Sequence, residues 1–187
     1  MMDSHEEACG MRLFIALDFG RDSKDRLHDI GMRCKEAGIA GRYTAPSNLH
    51  LTVKFLGETR ERRIPDIQRL LDTAAGASCA FNMQFDGLGT FGERILWVSV
   101  KRNEILESLR EEVEQKMAEI GFSRETRPFS PHITIARDIS YSKNEGLIKI
   151  HPFETEIREI SLMESIRIDG KLVYKNLYRA KLSKANQ

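Results

Sequence analysis

Along this chain, runs in which apolar positions cluster or alternate take turns with runs in which they recur every three or four residues. Met11–Asp18 (MRLFIALD) is near-continuously apolar, the pattern of a buried strand. Asp22 or Ser23 is expected to cap a helix running to Ala37, with Leu27, Ile30 and Cys34 at helical spacing and Gly38 as its stop. Arg42–Ala45 reads as a short extended piece before Pro46. A strand is expected over 48–56, closed by Gly57, then a helix from Arg62 to Ala75 with Ile64, Ile67, Leu70 and Leu71 on one side. Cys79–Leu88 and Arg94–Val100 read as strands joined by a Gly-rich link, with Gly87-Leu88-Gly89 as a turn. Asn103 caps a helix to Ile120, whose stripe is Ile105, Leu106, Leu109, Val113 and Met117 and whose charged face reads as solvated. Gly121 ends it. A strand over 128–137, a short helix over Tyr141–Lys149, and a closing hairpin of Glu154–Glu164 and Lys171–Lys181 around Asp169-Gly170 complete the chain.

Two of these strands say almost the same thing. Asn48-Leu49-His50-Leu51-Thr52-Val53 is matched by Pro131-His132-Ile133-Thr134-Ile135 at a distance of 82 positions (132 − 50 = 82). Side chains alternate faces along a strand, so His50 and Thr52 share one face, with Leu51 and Val53 behind. His132 and Thr134 do the same in front of Ile133 and Ile135. With five histidines and eight threonines, random placement gives two His-x-Thr pairs only about 2% of the time, so the pair carries information that one copy would not. The order strand, helix, His-x-Thr strand, helix, strand also occurs twice. That is a repeat of pattern, and it predicts an α+β protein of two similar lobes meeting at one groove. No low-complexity linker separates the lobes, so one packed domain is expected over 11–183, with Met1–Gly10 as a frayed extension and Met11 as an alternative start.

Composition narrows the chemistry. The chain has 187 residues and a net charge of +1, so no global field points to nucleic acid, and polyanion contact must be local. Cys9, Cys34 and Cys79 are odd in number and form no CxxC, which favours a reducing, cytosolic compartment over a disulfide framework. No apolar run has membrane-spanning length. There is no P-loop, no GxGxxG and no nucleophile elbow, and two histidines without a carboxylate or cysteine at ligand spacing make an incomplete metal set.

A pair of histidines at one phosphate suits concerted acid–base work, because the ordinary imidazole pKa of about 6.5 allows one ring to take a proton while the other gives one. The threonine hydroxyls can donate to non-bridging phosphate oxygens. An RNA-end-binding module without turnover is the rival reading; it needs the groove and both threonines but not both histidines.

The two motifs, together with MRLFIALDF, NLHLTVKFLGE, FDGLGTFGERILWVSV and RPFSPHITIAR, resemble the bacterial and archaeal RNA 2′,3′-cyclic phosphodiesterases. These are also called 2′-5′ RNA ligases, within the 2H phosphoesterase superfamily. The resemblance runs from about Met11 to Ala180. It implies a bilobal fold, two antiparallel sheets flanking a central cleft with helices outside. It implies metal-independent opening of RNA or nucleotide 2′,3′-cyclic phosphates to 2′-phosphates, with reversible 2′-5′ ligation, no cofactor and a monomer. By resemblance His50 is the proton donor and His132 the acceptor, Thr52 and Thr134 hold phosphate, and Arg137 contacts substrate. Alternation from His132 puts Arg137 on the opposite face, so it reaches the cleft only where the strand ends or twists. Lys54 shares the face of His50 by the same alternation. Tyr43 stands where relatives have tryptophan and is expected to cover the core rather than stack on a base. Arg127 is a weaker contact, and His28 and His151 read as structural or surface residues.

Overall fold

The computed structural model describes residues 10–92, 94–140 and 148–184. The apolar run forms β1 (Met11–Leu17), followed by α1 (Arg21–Glu36) and β2 (Ala40–Tyr43). A 3₁₀ turn over Pro46–Asn48 leads into β3 (Leu51–Thr59), and a second over Glu61–Arg63 leads into α2 (Ile64–Gly76). Then come β4 (Phe81–Phe91), β5 (Ile95–Val100), α3 (Glu104–Glu119), β6 (His132–Ser140), β7 (Phe153–Ile157), β8 (Glu159–Ile168) and β9 (Lys171–Lys181).

Several boundaries differ from expectation, each for a local reason. Gly20, not Asp22 or Ser23, occupies the N-cap of α1, and no side chain caps it. Asn103 does cap α3, accepting the Leu106 N–H at 3.0 Å. Gly87 and Gly89 lie inside β4 rather than in a turn. A Cβ on Gly89 would sit 2.3 Å from the Trp97 ring, so the glycine makes room for the indole to lie across the strand. The segment expected as one strand over 154–164 is split at Arg158 into β7, which pairs with β4, and β8, which pairs with β9. Asp169 and Gly170 both take positive φ, 48° and 76°, as a tight two-residue hairpin turn requires. The short helix expected over Tyr141–Lys149 falls almost wholly on residues 141–147, outside the described ones; 148 and 149 are in neither helix nor strand.

The strands form one curled sheet in the order β7-β4-β5-β6-β3-β1-β8-β9, with β2 added beside β6. Two four-stranded antiparallel halves are thus joined where the two His-x-Thr strands meet, through one registered pair, Leu51 and Ile133. The predicted duplication is visible as β1-α1-β3 in one half and β5-α3-β6 in the other. Each of those helices packs behind the opposite half. Gly31 of α1 lies against Ile135 of β6, and Arg26 stacks over Phe153 of β7 at 4.1 Å. In exchange, Glu114 of α3 is bonded to Lys54 of β3. One continuous core therefore runs behind the whole sheet, from Leu13 and Leu51 to Phe85 and Val98.

Candidate active site

β3 and β6 run antiparallel at the centre of the sheet, and Leu51 opposite Ile133 sets their register. Extending it one step each way (51 + 133 = 50 + 134 = 52 + 132) puts His50 opposite Thr134 and Thr52 opposite His132. The two motifs are therefore neighbours on one concave floor, with each histidine level with the other motif's threonine along the strands. Leu51, Val53, Ile133 and Ile135 are buried behind it, as alternation requires.

Alternation then fails in both strands at the same place. Between Thr52 and Lys54 the pairing of β3 with β1 skips Val53, and between Thr134 and Ala136 the pairing of β6 with β5 skips Ile135. These are β-bulges at equivalent positions (135 − 53 = 82), and each reverses the facing of the residues beyond it. Lys54, expected on the His50 face, is instead turned into the core, 4% exposed, where its ammonium meets Glu114 at 2.6 Å and the Ser123 carbonyl at 2.7 Å. Arg137 is returned to the His132 face, where its positive charge adds to the lowering that burial imposes on both His50 and His132. The equivalent position on β3 is Phe55 (137 − 55 = 82), which is 71% exposed and 6.3 Å from the ring of Phe14. One side of the floor thus presents a guanidinium and the other an aromatic face.

Both rings are fixed in the same way. His50 Nδ1 lies 2.7 Å from the Asn48 carbonyl oxygen, and His132 Nδ1 lies 2.8 Å from that of Ser130. A carbonyl only accepts, so each Nδ1 carries the hydrogen and each Nε2 is left free as a base. His50 Nε2 is met by the Thr52 hydroxyl at 3.0 Å. Aromatic rings wall the pair. Phe14 and Tyr174 flank His50 at centroid distances of 5.0 and 4.9 Å, and Phe91 stands edge-on to His132 at 4.7 Å with Trp97 at 6.3 Å. Burial disfavours the imidazolium, pushing His50 down to about 4, with Arg137 and Lys24 adding to the shift and the Asn48 bond and Asp18 opposing it. His132 is lowered for the same leading reason.

Other candidates lie elsewhere. Tyr43 covers the core as expected, its hydroxyl donating to the Ile39 carbonyl at 2.7 Å. Arg127 is exposed and paired with Glu125. His151 is exposed and His28 half-buried on α1. A cavity of about 230 Å³ between Glu58, Arg60, Arg62 and Phe122 lies at the far end of β3 and includes neither histidine. Among the described residues no three His, Cys, Asp or Glu side chains gather as a metal set, and no helix is long and apolar enough to cross a membrane. Asn48, whose side chain reaches β9, is the site residue that pattern alone did not single out.

The chain resembles known proteins over most of its length. It is 31% identical over 176 residues to a protein from Thermotoga maritima named RNA 2′,3′-cyclic phosphodiesterase, covering 90% of this chain and 94% of that protein. A protein of the same name from Archaeoglobus fulgidus is 30% identical over 179 residues, covering 89% and 98%. Among solved structures, E. coli LigT in its apo form superposes with a TM-score of 0.79 at 27% identity, covering 95% of this chain and 100% of that one. The form complexed with 3′-AMP gives 0.79 at 27%, over 94% and 99%. Residues 32–169 match the model of the 2′-5′ RNA ligase superfamily, and the chain belongs to that family.

Proposed function

We propose that this chain hydrolyses 2′,3′-cyclic phosphates, at RNA ends or on small nucleotides, to 2′-phosphates by paired-histidine acid–base catalysis without a metal. The observation that carries the reading is the presence of two imidazoles on neighbouring strands, each locked through Nδ1 by a backbone carbonyl and each followed two residues on by a threonine, with the Thr52 hydroxyl against His50 Nε2. The water oxygen bonds to phosphorus as its proton passes to His132 Nε2. The P–O3′ bond breaks, and O3′ takes a proton from His50 Nε2–H. One water is consumed, and the rings return to their starting state by proton exchange with solvent. Thr52 and Thr134 donate to the non-bridging oxygens, and Arg137 offsets the charge that builds on them. A 5′-hydroxyl in the place of water gives a 2′-5′ linkage by the same displacement, which is the ligase outcome. One chain supplies every group, so a monomer in the cytosol suffices.

Turnover of a 2′,3′-cyclic nucleotide in excess EDTA tests the reading directly. The expected product is the 2′-phosphate, formed at an undiminished rate. Loss of activity on chelation, restored by added metal, would sink the metal-free mechanism; tight binding of cyclic-phosphate RNA ends with no turnover would favour a binding module.

The roles also make a pH prediction. Without substrate, burial holds His50 at about 4, so the proposed proton donor starts mostly deprotonated at neutral pH. A bound phosphodiester anion favours the imidazolium and raises that pKa. Since kcat/KM reports the free enzyme and kcat the complex, both profiles should be bell-shaped, with the kcat optimum at higher pH. Coincident optima would count against His50 as the donor.

A further inference from the structure

The residue two places before each histidine supplies the carbonyl that fixes its ring, and those residues, Asn48 and Ser130, are again 82 positions apart (130 − 48 = 82). Here the two halves differ. Ser130 is exposed. Asn48 is only 8% exposed, and its side-chain amide reaches β9, where Nδ2–H donates to the Leu172 carbonyl at 2.8 Å and Oδ1 accepts the Tyr174 N–H at 3.2 Å. A carbonyl and an N–H two residues apart on one strand edge are what a partner strand would bond. The amide of Asn48 therefore stands in for a strand and ties the loop before His50 to the edge of its half-sheet. The Tyr174 backbone so held sets its ring edge-on to His50, at 89° and 4.9 Å, and against Phe14 at 4.9 Å.

We propose that Asn48 is a positioning residue: its amide, clamped between Leu172 and Tyr174, holds its own carbonyl against Nδ1–H and so keeps Nε2 of His50 turned to the phosphate. The inference rests on the hydrolase reading of the same cleft. A ring that must deliver a proton along the breaking P–O3′ bond needs its other nitrogen fixed, because a flipped or tautomerised imidazole presents the wrong atom. His132, which takes a proton from a mobile water, has its carbonyl on a residue with no comparable anchor to β9. The buried amide also satisfies two backbone groups of β9 that would otherwise lose their partners.

Long-range ¹H–¹⁵N correlation spectra of the substrate-free protein at neutral pH test this. The wild-type chain should show His50 with Nδ1 protonated and Nε2 bare. In Asn48→Ala the two tautomers of His50 should mix while the His132 signals stay in place, and kcat should fall roughly 10- to 100-fold. KM should change by no more than about threefold, because contacts to the substrate itself are kept. Asn48→Gln keeps the neutral amide but displaces it by one methylene from Leu172 and Tyr174; it should show a smaller change in the same direction, and it carries the test if the alanine variant does not fold. Retention of the Nδ1–H tautomer by His50 in these variants overturns the proposal, as does an equal disturbance of both histidines. The spectra need no substrate, so a wild-type chain that opens no cyclic phosphate would overturn the functional reading and leave the tautomer result standing.

Discussion

Replacing His50 or His132 with alanine should each lower kcat for 2′,3′-cyclic phosphate hydrolysis by roughly 10²- to 10⁴-fold. In the proposed mechanism each ring carries one half of a single proton relay, and neither threonine has the basicity to take over. Since the two act on one phosphorus, the double variant should lose far less than the product of the single losses. Steady-state rates for the four proteins make the measurement. Fully multiplicative losses would mean that the rings serve separate events. The register around Leu51 and Ile133 makes that outcome hard to reconcile with the fold, because it places each histidine one rung from the other motif.

The largest effect on stability should come from Lys54 and Glu114. Their side chains are 3% and 2% exposed, their charges are 2.6 Å apart, and Oε2 of Glu114 also accepts the Glu125 N–H at 3.1 Å. Glu114→Ala strands a buried ammonium with only the Ser123 carbonyl and should cost about 3–5 kcal/mol in urea unfolding. Lys54→Met leaves the carboxylate with the Glu125 N–H and Arg110 at 3.8 Å, so a smaller loss is expected. Lys54→Met combined with Glu114→Leu removes both charges and should recover most of the loss. A double variant no more stable than the singles would show that the ladder around Val53, rather than the charge pair, is what the substitutions damage.

How far the sequence could be read depends on where strict alternation holds. It holds from His50 to Val53 and from His132 to Ile135, so the histidines, the threonines and the apolar backing were legible from period two alone. It breaks one residue later, because a bulge adds a residue to one strand without any compositional mark. Alternation alone therefore puts Lys54 on the His50 face and Arg137 behind it, against the substrate contact that the resemblance implies for Arg137; the structure turns Lys54 into the core and Arg137 to the His132 face. A signal for Lys54 did exist, as the lone charge between apolar neighbours in β3. Its partner was hidden: Glu114 adjoins the apolar stripe of α3 and is 1% exposed, while Ile105, expected within the stripe, is 38% exposed. A helix face is defined by what packs on it, and α3 packs on a strand from the other half. For the same reason the single segment expected over 154–164 divides between the two halves, since nothing at Arg158 announces a change of partner. Asn48 carries no sequence signal, because a buried amide bonded to strand backbone looks, in sequence, like any loop asparagine.

The crossing of α1 and α3, each behind the other half's strands, bears on how such a chain could have arisen. Taken alone, the first half would keep β1 and β3 but deprive α1 of the β6 and β7 side chains, Ile135 and Phe153, that it packs on, and the second half would deprive α3 of Lys54. A half-length ancestor could have made those contacts only by lending its helix to a second copy and borrowing one in return, as swapped dimers do. Two such copies would have brought their His-x-Thr strands together on the symmetry axis, one histidine from each. On this view a fusion would have kept the paired site and left its two halves free to differ, as Phe55 and Arg137 now do beyond the two bulges.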